Sequence, residues 1–148
     1  MEFFRVSFIG HREIDDYREI ETQLNKILPN LLFTKEFVEF QIGRNGDFDL
    51  FVASCIKRIQ KQYDMGNSAM TLVLPYPVAD MEYYENYYDS VIIPEEASIS
   101  HPKSAITKRN QWLCDNADLL IAYVHRDKGG AATCLKYAEK VGIKIVRI

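Results

Sequence analysis

Residues 109–140, RNQWLCDNADLLIAYVHRDKGGAATCLKYAEK, decide the fold. They read as the end of a helix, a buried strand over 118–124, a loop closing on Gly129 and Gly130, and a second helix carrying Thr133 in its first turn. A glycine pair just ahead of a helix lets backbone N–H groups come close to a ligand, and the unpaired N–H groups and dipole of that helix favour an anion. The stretch 129–133 is therefore expected to be a phosphate-binding turn. Glycine pairs also serve simply to cap elements, so this reading leans on the rest of the chain.

Outward from that stretch the chain alternates strand and helix. Residues 3–9, 37–42 and 70–74 are short apolar runs that suit strands covered on both faces, and 143–148 supplies a last one. Ile14, Tyr17, Glu21, Leu24 and Leu28 keep helical spacing, with Asp15 and Asp16 expected in the first turn and Pro29 expected to stop the helix. Val52, Cys55, Ile56, Ile59 and Tyr63 form a second amphipathic stripe that Asp47 or Asp49 can cap, and 103–116 forms a third helix. Residues 78–100 break the rhythm with four tyrosines, Tyr83, Tyr84, Tyr87 and Tyr88, and an extended piece near 91–93. This segment is either a covering flap, an oligomer contact, or a helix with Met81, Tyr84 and Tyr88 facing inward. The repeated strand, helix, strand order predicts an α/β, Rossmann-like three-layer domain with a mainly parallel sheet, one domain over 1–148.

Composition narrows the function. A chain of 148 residues with 47% hydrophobic content supports one real core. Its net charge of -3 offers no general attraction for polyanions, which argues against a nucleic-acid partner and for a locally gripped phosphate. Cys55, Cys114 and Cys134 are separated in sequence and odd in number, which suits a reduced cytoplasmic setting. No apolar run is long enough for a signal peptide or a membrane span. His11, His101, His125 and the cysteines lack metal-ligand spacing, so no metal is expected. Cys134, one step past Thr133, is read as a buried thiol, with a reactive thiol at a helix amino terminus as the lesser alternative.

In an open parallel sheet ligands bind outside the carboxyl ends of the strands, and the unusual polar clusters all fall there. Gly10, His11 and Arg12 follow the first strand; Gly43, Arg44, Asn45 and Gly46, with Asp49 just beyond, follow the second; Tyr76 follows the third; and 125–130 follows the fourth. Arg109 and Asn110 share a helical stripe with Ile106 and Leu113, so a guanidinium is expected inside, paired either with a carboxylate such as Asp118 or Asp49 or with a ligand phosphate or ribose. Tyr76 is placed to stack on a base, and Arg12 and Asn45 to meet ribose or a second phosphate.

GHR after the first strand, the glycine-bearing turn ending in FD, RNQWLCDNADLLIAYV and GGAATCLKYAEK together resemble the SLOG superfamily, most closely its YpsA-like branch. The resemblance covers nearly the whole chain. It implies a Rossmann-like domain that binds nucleotides or nucleotide-derived ligands; relatives include phosphoribohydrolases of the lysine-decarboxylase-like group and a DNA-processing protein that binds single strands. Thr133 matches the PGGxGTxxE turn of the phosphoribohydrolases, and Arg109 upstream matches their pattern as well, but Lys128, Ala132 and Lys136 stand at the proline, third glycine and glutamate of the turn. The expected function is thus binding of an ADP-ribose- or NAD-related nucleotide as a sensor or sequestering protein, with no other cofactor. An enzyme cleaving an N-glycosidic or phosphate bond of such a ligand is the alternative, and single-stranded DNA binding stands behind both. A homodimer or higher homo-oligomer is expected from the tyrosine-rich segment.

Overall fold

The computed structural model describes residues Met1–Ile148. Six strands form one sheet in the order β4-β3-β2-β1-β5-β6, every neighbouring pair parallel. In chain order the elements are β1 (Phe3–Gly10), α1 (Tyr17–Thr34), β2 (Phe37–Ile42), α2 (Asp47–Tyr63), β3 (Ser68–Val73), α3 (Met81–Tyr87), β4 (Ser90–Ile92), α4 (Glu95–Ser98), α5 (Pro102–Asp115), β5 (Leu119–Tyr123), α6 (Gly130–Val141) and β6 (Lys144–Arg147). This is the Rossmann-like three-layer α/β arrangement that the alternation implied. No helix is long and apolar enough to cross a membrane.

Strand periodicity divides the core in two. Val6 and Phe8 of β1, with Leu119, Ile121 and Tyr123 of β5, face the larger cluster under α1 and α2. Ile9, Leu120, Ala122 and Val124 face the smaller one with Cys114 of α5 and Ala132, Cys134, Leu135 and Ala138 of α6. A buried polar thread ties the α5 side together: Ser7 Oγ donates to the Leu113 carbonyl at 2.7 Å, and Gln41 Nε2 donates to Ser7 Oγ at 3.1 Å and to the Asn116 carbonyl at 3.0 Å. Each polar atom in the thread finds a partner, so burial carries no unpaired cost.

Two local expectations need correction. Helix α1 runs through Pro29 to Thr34 instead of stopping there. Leu31 and Leu32 beyond the proline are buried in the main core, and burial of two leucines at about 1.5–3 kcal/mol each offsets the roughly 3 kcal/mol that an interior proline costs. At the other end Asp15 lies outside the helix and Asp16 is its N-cap without a side-chain hydrogen bond, leaving Glu19 as the first-turn acid.

Residues 78–100 complete the sheet. β4 pairs parallel with β3, the Leu74 N–H donates to the Ile92 carbonyl at 2.9 Å, and Tyr88 is buried while Met81 and Tyr84 pack on the core. The inward-facing helix is therefore the arrangement found.

The end of β1 is the tightest point of the fold. A Cβ on Gly10 would lie 2.1 Å from the ring of Phe48, which is fully buried and stacked on Tyr123 with centroids 5.9 Å apart. Gly10→Ala should therefore lower unfolding stability by about 1–3 kcal/mol in chemical denaturation, as an overpacked core does. An unchanged midpoint would show that Phe48 can move aside without cost.

Candidate functional site

The chain winds from β1 through β2 and β3 to β4 in one direction, then crosses to β5 and β6 on the other side of β1. Loops leaving β1 and β5 therefore diverge, and a crevice opens between them at the carboxyl end of the sheet. A cavity of about 530 Å³ occupies it. Of the residues singled out from sequence, Gly10, His11, Arg12, Asn45, Gly46, Asp49, Arg109, Asn110, Gly129 and Gly130 line this one cleft. Gly43, Arg44, Tyr76 and Thr133 do not. Gly43 lies against Arg109, where an added Cβ would come within 2.5 Å of the guanidinium. Arg44 turns to the Tyr84 ring, 4.5 Å from its centroid, and Thr133 Oγ1 donates to the Gly129 carbonyl at 3.1 Å. Arg126 and Lys128 also line the cleft; the 125–130 cluster was placed at this edge from sequence, but neither cation was singled out as a site residue, and Lys128 registered only as a departure from a motif.

Arg109 is 2% exposed and forms part of the cleft wall. Neither carboxylate proposed for it makes a direct ion pair. Asp118 accepts instead from the Arg5 N–H at 2.8 Å, and Asp49 accepts from the Asn45 N–H at 3.2 Å. The guanidinium donates to neutral oxygens: Nε to Asn110 Oδ1 at 3.0 Å, Nη1 to the Val73 carbonyl at 2.9 Å and Nη2 to Asn45 Oδ1 at 2.8 Å. Burial lowers the Arg109 pKa, with Asp49 acting the other way; burial raises that of Asp49, opposed by Arg109 and the Asn45 N–H. Arg109 is thus a structural tie between α5, the end of β3 and the β2–α2 loop.

His11 performs a second tie, across the crevice. Its Nε2 accepts from the backbone N–H groups of His125 at 2.8 Å and Arg126 at 3.2 Å, which requires that nitrogen to be unprotonated. Burial, with Arg126 and His125 close by, lowers the His11 pKa. Arg126 in turn donates through Nη2 to the Glu13 carbonyl at 2.8 Å, so the loops after β1 and β5 hold each other.

The amino end of α6 closes the site. Gly129 has φ of 99°, a left-handed conformation that L side chains rarely adopt, and no side chain caps the helix. The N–H groups of its first turn are free to meet an anion. A Cβ at Gly130 would touch nothing within 4 Å, so the space in front of it is open. Behind the turn, folding brings together two cysteines distant in sequence: Cys114 and Cys134 Sγ atoms lie 3.4 Å apart and both are buried. The hydrogen bond with Cys114, then burial, pushes the Cys134 thiol well up, against the lowered value that a reactive thiol there would need.

No protein-family model matches the chain, and no curated protein matches it. Among solved structures it is similar to DNA processing protein A of Streptococcus pneumoniae, with 13% identity and a TM-score of 0.70 over 98% of this chain and 50% of that one. It is also similar to DNA processing protein A of Helicobacter pylori, with 13% identity and a TM-score of 0.66 over 97% of this chain and 64% of that one. The likeness establishes the Rossmann-like fold. It also overturns two expectations, an ADP-ribose- or NAD-related small molecule as the main ligand and nucleic acid as an unlikely partner, because the Helicobacter structure is described by its single-stranded DNA binding mode. The physical error lay in using the whole-chain charge of -3, an average that hides the cations gathered at this cleft.

Two outcomes follow from the ties. Arg109→Ala leaves the Val73 carbonyl and Asn45 Oδ1 without their buried donor and Asp49 without its neighbouring cation. It should cost about 3–5 kcal/mol in chemical denaturation, and Arg109→Lys should recover only part, since an ammonium cannot reproduce the planar fork. An imidazole with a depressed folded pKa contributes stability that is complete above its unfolded value of about 6.5 and is lost as pH falls through the lowered folded value. The stability gap between wild type and His11→Ala should therefore be widest near neutrality and close in acid; a gap independent of pH would show that Nε2 is not the acceptor.

Proposed function

We propose that this chain binds single-stranded DNA, seating backbone phosphates in the cleft between the β1 and β5 loops. The observation that carries the reading is the convergence of Arg12, Arg126 and Lys128 on the uncapped amino end of α6 within one cavity. Side-chain cations and free N–H groups together make a phosphate seat. The fold shared with two DNA processing proteins, one described by its single-strand binding, supports the choice of nucleic acid. Membership of the SLOG superfamily is in keeping with both neighbours, while the YpsA-like branch rests on the sequence motifs alone.

A single strand fits this geometry better than a duplex. The phosphate seat lies inside a concave cleft lined by loops from both sides, which one flexible backbone can enter and a rigid double helix cannot follow. The cleft wall includes a tied arginine, loop backbone and aliphatic side chains such as Ile106 and Leu113, alongside the acids Glu13 and Asp49. Tyr76, 37% exposed beyond β3, is the residue we propose for sequence-tolerant base stacking at the margin.

Fluorescence anisotropy with a labelled oligothymidylate tests this directly. Binding should weaken with salt; Lys128→Ala should weaken it several-fold and reduce the slope of log K against log salt by about 0.7, the value for one phosphate contact on a single strand. Gly130→Asp should abolish binding with the fold intact, because the added side chain enters open space but carries negative charge into the phosphate seat. Undiminished affinity in folded Gly130→Asp would overturn the reading.

A further inference from the structure

A second concavity, of about 410 Å³, adjoins the cleft on the far side of the β5–α6 loop and extends toward the end of β6. Arg126 lines both, so one side chain borders the two. Lys136 and Arg147 join it there, alongside the acids Asp127 and Glu139. Arg147 is held in place by donating through Nη2 to the Val124 carbonyl at 2.7 Å.

The charge around it is strongly segregated. Over residues 125–148, six cations, Arg126, Lys128, Lys136, Lys140, Lys144 and Arg147, stand against the two acids already named, and all six are exposed. Over 78–100 there are six exposed acids, Asp80, Glu82, Glu85, Asp89, Glu95 and Glu96, and no lysine or arginine. Because β6 and β4 are the two edges of the sheet, the acidic segment stands at one edge and the basic one runs from the cleft to the other. A polyanion leaving the cleft meets repulsion toward β4 and attraction toward β6.

We infer that a single strand anchored in the cleft continues over Arg126 into the second concavity and along the β6 edge, with Lys136 and Arg147 as a distal phosphate subsite. This rests on the single-stranded DNA reading above and adds a direction to it. The subsite engages only a strand long enough to reach past Arg126, so its contribution depends on length.

Binding of oligothymidylates of roughly four and roughly sixteen nucleotides separates the possibilities. Lys136→Glu with Arg147→Glu should weaken the longer strand by roughly tenfold and leave the shorter within about twofold. Lys136→Ala, an exposed substitution that spares the Arg147 contact, should show the same length dependence in smaller degree, and circular dichroism checks the fold. Glu82→Gln with Glu85→Gln should change neither length by more than about twofold. Equal loss at both lengths, no loss at either, or tighter binding of the longer strand in the glutamine variant would overturn the route. Sedimentation showing that the charge reversal instead dissociates a self-associated species would assign the basic edge to the acidic edge of a second copy. If the wild type binds neither strand, the single-stranded DNA reading itself fails, and the route with it.

Discussion

The buried guanidinium of Arg109 is the constraint on which the site depends. A cation at 2% exposure survives only where oxygens surround it, and here they come from three separate places: its own helix through Asn110, the end of β3 through Val73, and the β2–α2 loop through Asn45. Those partners dictate further residues. Gly43 must lack a side chain because Arg109 occupies the space, and Gly46 must lack one because a Cβ would come within 2.5 Å of the Arg12 backbone. The Asp47 N–H then donates to the Arg12 carbonyl at 2.7 Å, joining the loops after β1 and β2. One buried charge thus holds one half of the cleft rigid, and His11 holds the other half by gripping the loop after β5.

Rigidity of this kind suits a binding surface. A cleft that is ordered before the ligand arrives loses little conformational entropy on binding, so modest phosphate contacts retain more of their strength. The contrast within the cleft is informative. Arg109 has each guanidinium nitrogen engaged and a side chain inside the protein, whereas Arg12, Arg126 and Lys128 are exposed. Burial, not residue type, divides these arginines: Arg109 is committed inside the protein, while Arg12 and Arg126 each donate to one loop carbonyl, of Asn45 and Glu13, and keep exposed side chains.

Much of the fold was legible because local signals agreed with it. Residues 37–42 form β2 as read, and the β5–α6 unit follows from an apolar run, a glycine pair and an amphipathic helix. Pro29 misled because helix propensity is local, while the burial of Leu31 and Leu32 that overrides it is tertiary. The meeting of the loops after β1, β2 and β5 was readable from topology, whereas Tyr76 after β3 lies outside the cleft. The partners of Arg109 were not: Asn45 and Val73 are 64 and 36 residues away, and nothing in their identity marks them as acceptors for a cation. The contact of Cys114 with Cys134 was invisible for the same reason, being a product of how α5 packs on α6.

Charge was the quantity most easily misread, and the fold explains why. A parallel sheet orders its strands differently from the chain, so segments of opposite sign are carried to opposite edges by topology. The acidic stretch 78–100 belongs to the β4 edge, and the basic stretch 125–148 to the β5–β6 side, with the crevice between β1 and β5 nearer the latter. A net value of -3 describes the sum and says nothing of the field at the cleft. Within a screening length of about 8–10 Å the field at the cleft is set by the exposed Arg12, Arg126 and Lys128 against the exposed Glu13, not by acids at the far edge. An acidic chain can therefore carry a locally basic cleft, because acids beyond the screening length contribute little to the field there.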